Sequence, residues 1–330
     1  MELTSAQRDR ACGVLLATAA GDALGAGYEF GPPLPDDELV TMRGGGACNW
    51  EPGEWTDDTA MAIAIAEVAA TGADLRSVDA QDQIVARWVG WSRTAPDVGI
   101  QTRQVLGQVV DGGVSGAAAA ALAASADLHE RTGRTAGNGS LMRTAPVALA
   151  YLDDPGGLAE AALAVSALTH FDRSAGEACV LWCLAIRHAI LTGELDARAG
   201  LGYLPARTVD VWSAQLVEAE ESRPSDFSGN GWVVEALQAA WCAIAHRPHS
   251  DPGGDPGLGV SDTDLLRMSL ENAVRGGRDA DTVAAIAGGL VGAALGAAAV
   301  PEEWLPVMHG WPGYKASDLT RLASQILACR

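Results

Sequence analysis

Aromatic residues are scarce in this chain, which has only three Phe and four Tyr among 330 residues. The core must therefore be built mainly from Ala, Leu, Val, Ile and the ten Trp. No run of alternating β-branched residues is long enough to predict a strand. Alanine is the strongest helix former, and Ala-rich runs cover 116–126 and 284–300. The sequence therefore predicts an all-α fold.

Positive charge is also scarce. The chain has 22 Lys and Arg against 42 Asp and Glu, which gives a formal net charge of −20. Non-specific nucleic-acid binding needs a basic surface, and the sequence contains no basic patch that would supply one. The same acidity would repel a phosphate-bearing ligand. Such a ligand would need backbone N–H groups, arginines or bound cations at its site.

A cysteine framework and a signal-peptide pattern are both missing. The six cysteines form no CxxC pair and no regular spacing, which is typical of a reduced protein. The first ten residues are charged and carry no signal-peptide pattern. The run 283–300 has no charge, but it is mostly Ala and Gly, which favours a buried central helix over a membrane span. We expect a cytoplasmic protein with no membrane partner.

No composition step and no repeat of fixed period divides the chain. A chain of this length can bury one large core, so we expect a single domain over residues 1–330. The segment 248–260 contains Asp-Pro-Gly repeats and is predicted to be a surface loop.

The first of two acidic motifs is Thr56-Asp57-Asp58, at the start of a predicted helix. Threonine and aspartate at such a position can simply cap backbone N–H groups and complement the helix dipole. Taken alone, this motif therefore has an ordinary structural explanation.

The second acidic motif, Asp279-Ala280-Asp281-Thr282, lies about 220 residues further on and precedes the most apolar predicted helix. Carboxylates beside a buried helix are costly unless cations compensate their charge. Carboxylate and hydroxyl oxygens are the ligands that Mg²⁺, Mn²⁺ and Ca²⁺ prefer. The two motifs could therefore converge on one binuclear metal site.

A glycine-rich motif, Gly137-Asn138-Gly139-Ser140-Leu141, precedes another predicted helix. Glycines at a helix start can free backbone N–H groups to bind an anion. An ordinary turn has the same composition, so the motif alone does not decide between the two.

Four further polar residues lie at predicted helix ends or connections. Asp22 and Glu29 flank a Gly-rich helix end, and Asp97 precedes another helix. His170 lies in a helix–helix connection, where a histidine can be a structural residue or a catalytic one.

Taken in order, these segments resemble the ADP-ribosylglycohydrolase family over nearly the whole chain, from Gly21 to about Gly296. The resemblance implies a compact, single-domain orthogonal bundle of α-helices with two divalent cations, Mg²⁺ or Mn²⁺, in a cleft. The metal ligands that it implies are Thr56, Asp57, Asp58, Asp279, Asp281 and Thr282.

The resemblance also implies roles for other residues. The candidate catalytic carboxylates are Glu29, Asp97 and Asp58. Glu29 matches an acidic residue that lies on a mobile segment near the metals in this family. The implied contacts to the diphosphate, the distal ribose and the rest of the substrate are Gly137, Asn138, Gly139, Ser140, Leu141 and His170.

Arg278 departs from the family pattern, because it stands directly before Asp279 and displaces a glycine pair by one position. An arginine at the mouth of the site could pair with a phosphate or with a neighbouring carboxylate. The sequence leaves both possibilities open.

The activity implied is metal-dependent hydrolysis of the glycosidic bond between ADP-ribose and an acceptor, with ADP-ribose as product. Two alternatives remain. The chain could be a non-catalytic ADP-ribose-binding or structural protein, as in the J1 crystallins, or a metal-dependent nucleotide phosphohydrolase. Arginine, serine, a nucleobase or a metabolite could each be the acceptor.

Overall fold

Runs rich in Ala and Leu form helices along most of the chain. The computed structural model describes residues 2–109, 113–246 and 260–330. The α-helices of this part, in chain order, are α1 (Ser5–Gly25), α2 (Asp57–Ala69), α3 (Val78–Ser92), α4 (Ile100–Leu106), α5 (Ala117–Thr132), α6 (Ala145–Ala150), α7 (Pro155–Ala167), α8 (Arg173–Thr192), α9 (Ala206–Glu221), α10 (Val233–Ala245), α11 (Asp262–Arg275), α12 (Ala280–Leu295) and α13 (Ala316–Ala328).

Other regular structure is minor. The two strands found within the described ranges, β1 (His309–Gly310) and β2 (Tyr314–Lys315), have two residues each and pair antiparallel. Short 3₁₀ segments occupy Ala26–Tyr28, Asn138–Ser140, Ala197–Tyr203, Pro224–Asp226 and Ala297–Ala299. The predicted all-α fold is confirmed.

The centre of the fold is the antiparallel pair of α1 and α12. A methyl group added to Gly288 of α12 would overlap the carbonyl oxygen of Ala17, and one on Gly21 of α1 would overlap that of Ala284. The two backbones therefore touch without an intervening layer of side chains. The predicted buried central helix is confirmed, although α12 ends at Leu295 because Gly296 adopts a φ of 93°.

Tryptophans supply much of the bulk around this pair, and each buried indole needs a partner for its N–H. Trp182 of α8 donates to the carbonyl oxygen of Ile286 in α12 at 2.9 Å. Trp88 of α3 donates to that of Met61 in α2 at 3.0 Å. The first bond fixes α8 against the central helix α12, and the second fixes α3 against α2.

Among the described residues, two helical segments are long and apolar enough to span a membrane, namely Ser5–Tyr28 and Arg173–Thr192. Their most apolar stretches are 100% and 78% buried inside the protein, so both are core helices of this fold. All but the last residue of the predicted loop 248–260 lies outside the described residues.

The antiparallel packing of α1 and α12 brings functional segments together. A methyl group on Gly25, at the end of α1, would overlap the backbone of Asp281 in the first turn of α12. The C-terminal end of α1 therefore lies against the N-terminal end of α12, and α2 begins beside them.

Candidate metal centre

Asp22 of α1 organises the start of α2. Its two carboxylate oxygens accept hydrogen bonds from the backbone N–H groups of Thr56, at 2.8 Å, and Thr59, at 2.9 Å. Thr56 is the N-cap residue, as predicted, but its side chain makes no capping bond. Helix capping, the ordinary explanation for the first motif, is therefore performed by an aspartate from another helix.

The Thr56 hydroxyl turns toward the acidic residues instead. It donates to Asp58 at 3.0 Å, and the same oxygen lies 3.5 Å from Oδ2 of Asp281. One carboxylate oxygen each from Asp22, Asp58 and Asp281 lies within 4.8 Å of the other two. The structure thus brings the two motifs together and adds Asp22, to which the sequence analysis gave no role.

A second group of oxygens adjoins the first. Glu29, Asp279 and Asp281 each place one carboxylate oxygen within 4.8 Å of the others. Asp281 belongs to both groups, and its carboxylate also accepts the backbone N–H of Thr282 at 2.9 Å. A carboxylate shared between two groups can hold two neighbouring cations.

Burial raises the pKa of every carboxyl in these groups. The pKa of Asp22 rises to about 6, with burial outweighing the hydrogen bonds that it accepts. Burial and the charges of neighbouring carboxylates raise the pKa of Asp57 to about 8 and that of Glu29 to about 9. The pKa values of Asp58 and Asp281 lie well above the ordinary range for the same reasons.

The donor chemistry fits a hard divalent cation. The ligands on offer are carboxylate and hydroxyl oxygens, without the nitrogen or sulfur that zinc sites favour. Oδ1 of Asp58 is buried and has no hydrogen-bond partner among the described residues. A buried carboxylate oxygen without a partner is costly, and a cation would satisfy it.

Two Gly-Asn-Gly turns hold Asp279 in place. Asn138 donates through Nδ2 to Oδ2 of Asp279 at 2.7 Å and to the carbonyl oxygen of Asn230 at 2.9 Å. Asn230 in turn donates to the carbonyl oxygen of Gly277 at 3.1 Å. The sequence analysis missed Asn230, although Gly229-Asn230-Gly231 repeats the composition of Gly137-Asn138-Gly139 and could have revealed it.

The residues that follow Gly139 face the core. Ser140 accepts a hydrogen bond from the Ser166 hydroxyl at 2.9 Å, and the Leu141 side chain is 1% exposed. The backbone N–H of Leu141 donates to the carbonyl oxygen of Asn138 at 2.8 Å. Both side chains are therefore buried inside the protein.

His170 closes the other side of this glycine-rich turn. The side chain is almost fully buried, and its Nε2 would lie 3.4 Å from a methyl group on Gly137 and 3.0 Å from one on Gly139. Glycine at these two positions leaves room for the imidazole edge.

Arg278 adopts a left-handed conformation with φ 60°, next to Gly277 with φ 71°. A glycine would adopt this conformation without strain, so the displaced glycine of the family pattern has a structural cost here. The guanidinium of Arg278 approaches the carbonyl oxygens of Ser225 and Gly276, each at 3.4 Å. It forms no ion pair with a carboxylate within the described residues.

The backbone of Arg278 also holds the segment that carries Glu29. The N–H of Phe30 donates to the Arg278 carbonyl oxygen at 2.5 Å, and the Arg278 N–H donates to that of Gly31 at 2.7 Å. Glu29 is thereby positioned beside Asp279.

Asp97 and Thr282 complete the predicted set. Asp97 is half-buried just before α4, and its charge helps to raise the pKa of Glu29 and of Asp57. The Thr282 side chain is buried, and its hydroxyl approaches Sδ of Met142 at 4.0 Å. All the predicted acidic residues are thus grouped around the ends of α1, α2 and α12.

Fold and site together define an all-α protein with two adjoining groups of oxygen ligands at converging helix ends. The chain belongs to the ADP-ribosylglycohydrolase family, whose sequence model matches residues 3–330. The predicted family is therefore confirmed.

Proteins with related sequences and structures align with most of this chain. The ADP-ribosylarginine hydrolase Tri1 of Serratia proteamaculans (strain 568) is 28% identical over 304 residues, which is 90% of this chain and 74% of that protein. The ADP-ribosyl-dinitrogen reductase glycohydrolase of Rhodospirillum rubrum is 29% identical over 308 residues, covering 90% of this chain and 89% of that protein. A solved chain of an ADP-ribosylglycohydrolase-related protein complex aligns with a TM-score of 0.72 and 28% identity, covering 99% of both chains.

Proposed function

We propose that this protein hydrolyses the glycosidic bond between ADP-ribose and an acceptor and releases ADP-ribose, with the help of two divalent cations, Mg²⁺ or Mn²⁺. One observation carries the proposal: Asp281 is shared by two groups of carboxylates at the converging ends of three helices. Family membership supplies the reaction class, and the names of the relatives make ADP-ribosylarginine the first conjugate to test.

The residues divide between two cation positions. Thr56, Asp22 and Asp58 would hold one cation, while Glu29 and Asp279 would hold the other. Asp281 would serve both, and Asp57 and Thr282 lie beside these groups as further oxygen ligands. When bound, the cations supply positive charge that offsets the carboxylates and attracts the oxygen-rich ribose and diphosphate.

Proton transfer requires a carboxyl group that can carry a proton near neutral pH. Glycosidases use two carboxyl groups for this purpose, one that protonates the leaving group and one that activates water. Asp97 at the edge of the acidic cluster is one candidate, and Glu29 is the other when it does not ligate the second cation. Asp58 is fully buried, and Asp22 and Asp281 each place a carboxylate oxygen within 4.8 Å of one of its own. This position suits a metal ligand better than a proton carrier.

The ADP-ribosyl half would lie over the two Gly-Asn-Gly turns. The absence of side chains at Gly137 and Gly139 lets the edge of His170 approach this turn closely. Asn138 couples this turn to Asp279 through its 2.7 Å hydrogen bond. Binding of the nucleotide half would thereby be linked to the position of a metal ligand.

The test is product analysis on a small panel of substrates. The protein would be incubated with ADP-ribosylated arginine, ADP-ribosylated serine and ADP-ribosylated DNA, each with Mg²⁺, with Mn²⁺ and with a chelator. We expect mass spectrometry to find intact ADP-ribose with at least one substrate, only when a cation is present. Release of AMP or phosphate would instead support a phosphohydrolase, and binding of ADP-ribose without any product would support a non-catalytic role.

The variant Asp281→Asn separates the site from the fold. We expect it to lose turnover and cation binding while it keeps its helical content by circular dichroism. Asp82→Asn is a matched control, because Asp82 is also buried and accepts two backbone N–H bonds, but at the start of α5. Equal activity losses in the two variants would argue against the proposed site.

A further inference from the structure

Arg143 is a buried cation without an anionic partner. Its side chain is 0% exposed and its guanidinium stacks over the ring of Trp88 at 3.9 Å. It forms no ion pair with a carboxylate within the part of the chain that the structure describes. Burying a charge in this way is costly, so the polar contacts of the Arg143 guanidinium point to its role.

The strongest of these contacts leads to His170. Nη2 of Arg143 donates to the hydroxyl oxygen of Thr169 at 2.6 Å, and that oxygen lies 2.8 Å from Nδ1 of His170. Thr169 is 0% exposed and His170 is 2% exposed. A continuous buried chain of hydrogen bonds therefore joins the guanidinium to the imidazole.

The direction of the second hydrogen bond follows from the first. A guanidinium can only donate, so Thr169 must accept from Arg143. The single hydrogen of the hydroxyl then needs an acceptor, and among the described residues Nδ1 of His170 is the one within reach. If Nδ1 carried the hydrogen instead, the buried hydroxyl hydrogen would be left without a partner, which is costly.

This direction decides where the imidazole carries its proton. When Nδ1 accepts, a neutral ring must carry its hydrogen on Nε2. Nε2 forms no protein hydrogen bond within the described ranges, and the ring edge that carries it faces the Gly137 and Gly139 backbone. Burial lowers the pKa of His170 well below its usual value, which keeps the ring neutral, whereas burial lowers the pKa of Arg143 only to about 9.

We propose that Arg143 and Thr169 are positioning residues that fix His170 as the Nε2–H tautomer, so that its Nε2–H donates to an oxygen of the bound ADP-ribosyl group. The guanidinium polarises the Thr169 hydroxyl, and the hydroxyl orients the ring. Because Nε2 carries the hydrogen of the neutral ring, His170 donates through Nε2 and cannot accept a proton there. The identity of the ligand rests on the proposed function, but the tautomer does not.

Nitrogen NMR tests the tautomer directly. In protein with ¹⁵N-labelled histidine, the two ring nitrogens of His170 give distinct shifts according to which one carries hydrogen, and His170→Asn identifies its signals. We expect the Nε2–H pattern in the wild type and in Thr169→Ser, which keeps the hydroxyl. We expect Thr169→Val to lose that single pattern. A wild-type ring with hydrogen on Nδ1 would overturn the proposal whatever the activity.

Ligand binding tests the consequence. By calorimetry with free ADP-ribose, we expect Thr169→Val to weaken binding on the order of tenfold, as when a hydrogen bond to a charged group is lost, and Thr169→Ser to bind within about twofold of wild type. In turnover assays KM should rise more than kcat falls, because His170 contacts the bound nucleotide half. Unchanged affinity in Thr169→Val would overturn the positioning role.

One control variant and the ligand-free spectra keep the outcomes separate. Thr18→Val removes another buried hydroxyl, which bonds only within α1 at 2.8 Å, and we expect wild-type affinity from it. If wild-type protein fails to bind ADP-ribose at all, the proposed function fails together with the ligand assigned to His170. The NMR spectra would still accept or reject the tautomer and the role of Thr169, since they need no ligand.

Discussion

The hydroxyl oxygen of Thr56 lies 3.5 Å from Oδ2 of Asp281, although the two residues are 225 positions apart in the chain. The contact joins the start of α2 to the start of α12, and several carboxylates surround it. Like charges at this density destabilise the fold unless protons or cations neutralise them.

Divalent cations should therefore stabilise the protein against heat. We expect Mg²⁺ or Mn²⁺ at 100 times its dissociation constant to add about 2.7 kcal/mol to the free energy of unfolding. Differential scanning fluorimetry with and without chelator would measure the shift in Tm. Asp58→Asn should lose the cation-dependent rise, yet in chelator it should melt no lower than wild type, because burial already disfavours the charged form of Asp58 and asparagine is neutral. A full cation response in Asp58→Asn would contradict the proposed ligand set.

Asp22 has a double task, which a single substitution can separate. Asp22→Asn keeps only one acceptor oxygen, so we expect it to lose one of the two N–H bonds at the start of α2 at a cost of about 1 kcal/mol. It should also weaken cation binding at least tenfold in calorimetry. Asp82→Asn should show a similar stability loss with unchanged cation affinity. Equal cation affinity in the two variants would remove Asp22 from the metal centre.

Without cations, stability should depend on pH in a defined direction. The folded-state pKa values of Asp57 and Glu29 are raised from the ordinary 3.8 and 4.5 to about 8 and about 9. Groups with raised pKa values stabilise the fold fully below the unfolded pKa, and this contribution is lost as pH rises through the folded pKa. In chelator we therefore expect Tm to fall between about pH 5 and pH 9.

Two comparisons check the origin of that slope. Cation binding replaces the protons, so Mg²⁺ should flatten the decline and release protons on binding. Glu29→Gln removes one titrating group and should reduce the slope in chelator. Identical slopes in wild type and Glu29→Gln would assign the pH dependence to other groups.

The glycine contacts between α1 and α12 predict a large effect from a small change. Gly288→Ala adds a methyl group that overlaps the Ala17 carbonyl, and overpacking of a core costs about 1–3 kcal/mol. Gly90→Ala is the matched control, because Gly90 lies exposed in α3 with open space around it. Urea unfolding should show a loss for Gly288→Ala and a gain of about 0.5–1 kcal/mol for Gly90→Ala. A neutral Gly288→Ala would contradict the backbone contact.

Substitutions of Arg278 test whether its guanidinium binds a phosphate of the substrate. Arg278→Gly relieves the left-handed strain, which is worth about 1–2 kcal/mol for a residue with a side chain, but it removes the guanidinium. We expect unchanged cation affinity together with weaker ADP-ribose binding if the guanidinium contacts a phosphate. Arg278→Lys, which keeps the charge, should retain more of the affinity. Unchanged ADP-ribose affinity in Arg278→Gly would leave the arginine without a role in substrate binding.

Sequence reasoning found the parts of the site that carry their own local signal. Two carboxylates and a hydroxyl at a helix start form a recognisable pattern, and an apolar helix directly after them makes a purely structural role costly. The all-α fold was equally accessible, because alanine-rich runs have few alternatives. These features depend on residues that are neighbours in the chain.

The rest depends on contacts between distant residues. Asp22 lies inside a helix and carries no local sign that it caps α2. The direction of Ser140 toward the core follows from its contacts with Ser166 of α7 and Cys179 of α8, and it could not be read from a turn motif. Arg143 looks like an ordinary helix-flanking arginine until Thr169 and Trp88 are placed beside it.

The direct backbone contact of α1 with α12 has a consequence for how this protein can change. Where side chains separate two helices, a larger residue on one helix can be compensated by a smaller residue on the other. This pair has no such layer of side chains, so its contacts cannot be adjusted in that way. A substitution that moves either helix would also move Asp22 or Asp281, and with them the metal centre. We therefore expect new substrate preferences to arise in the connecting segments around the candidate metal centre, which can be remodelled while the helix pair stays fixed.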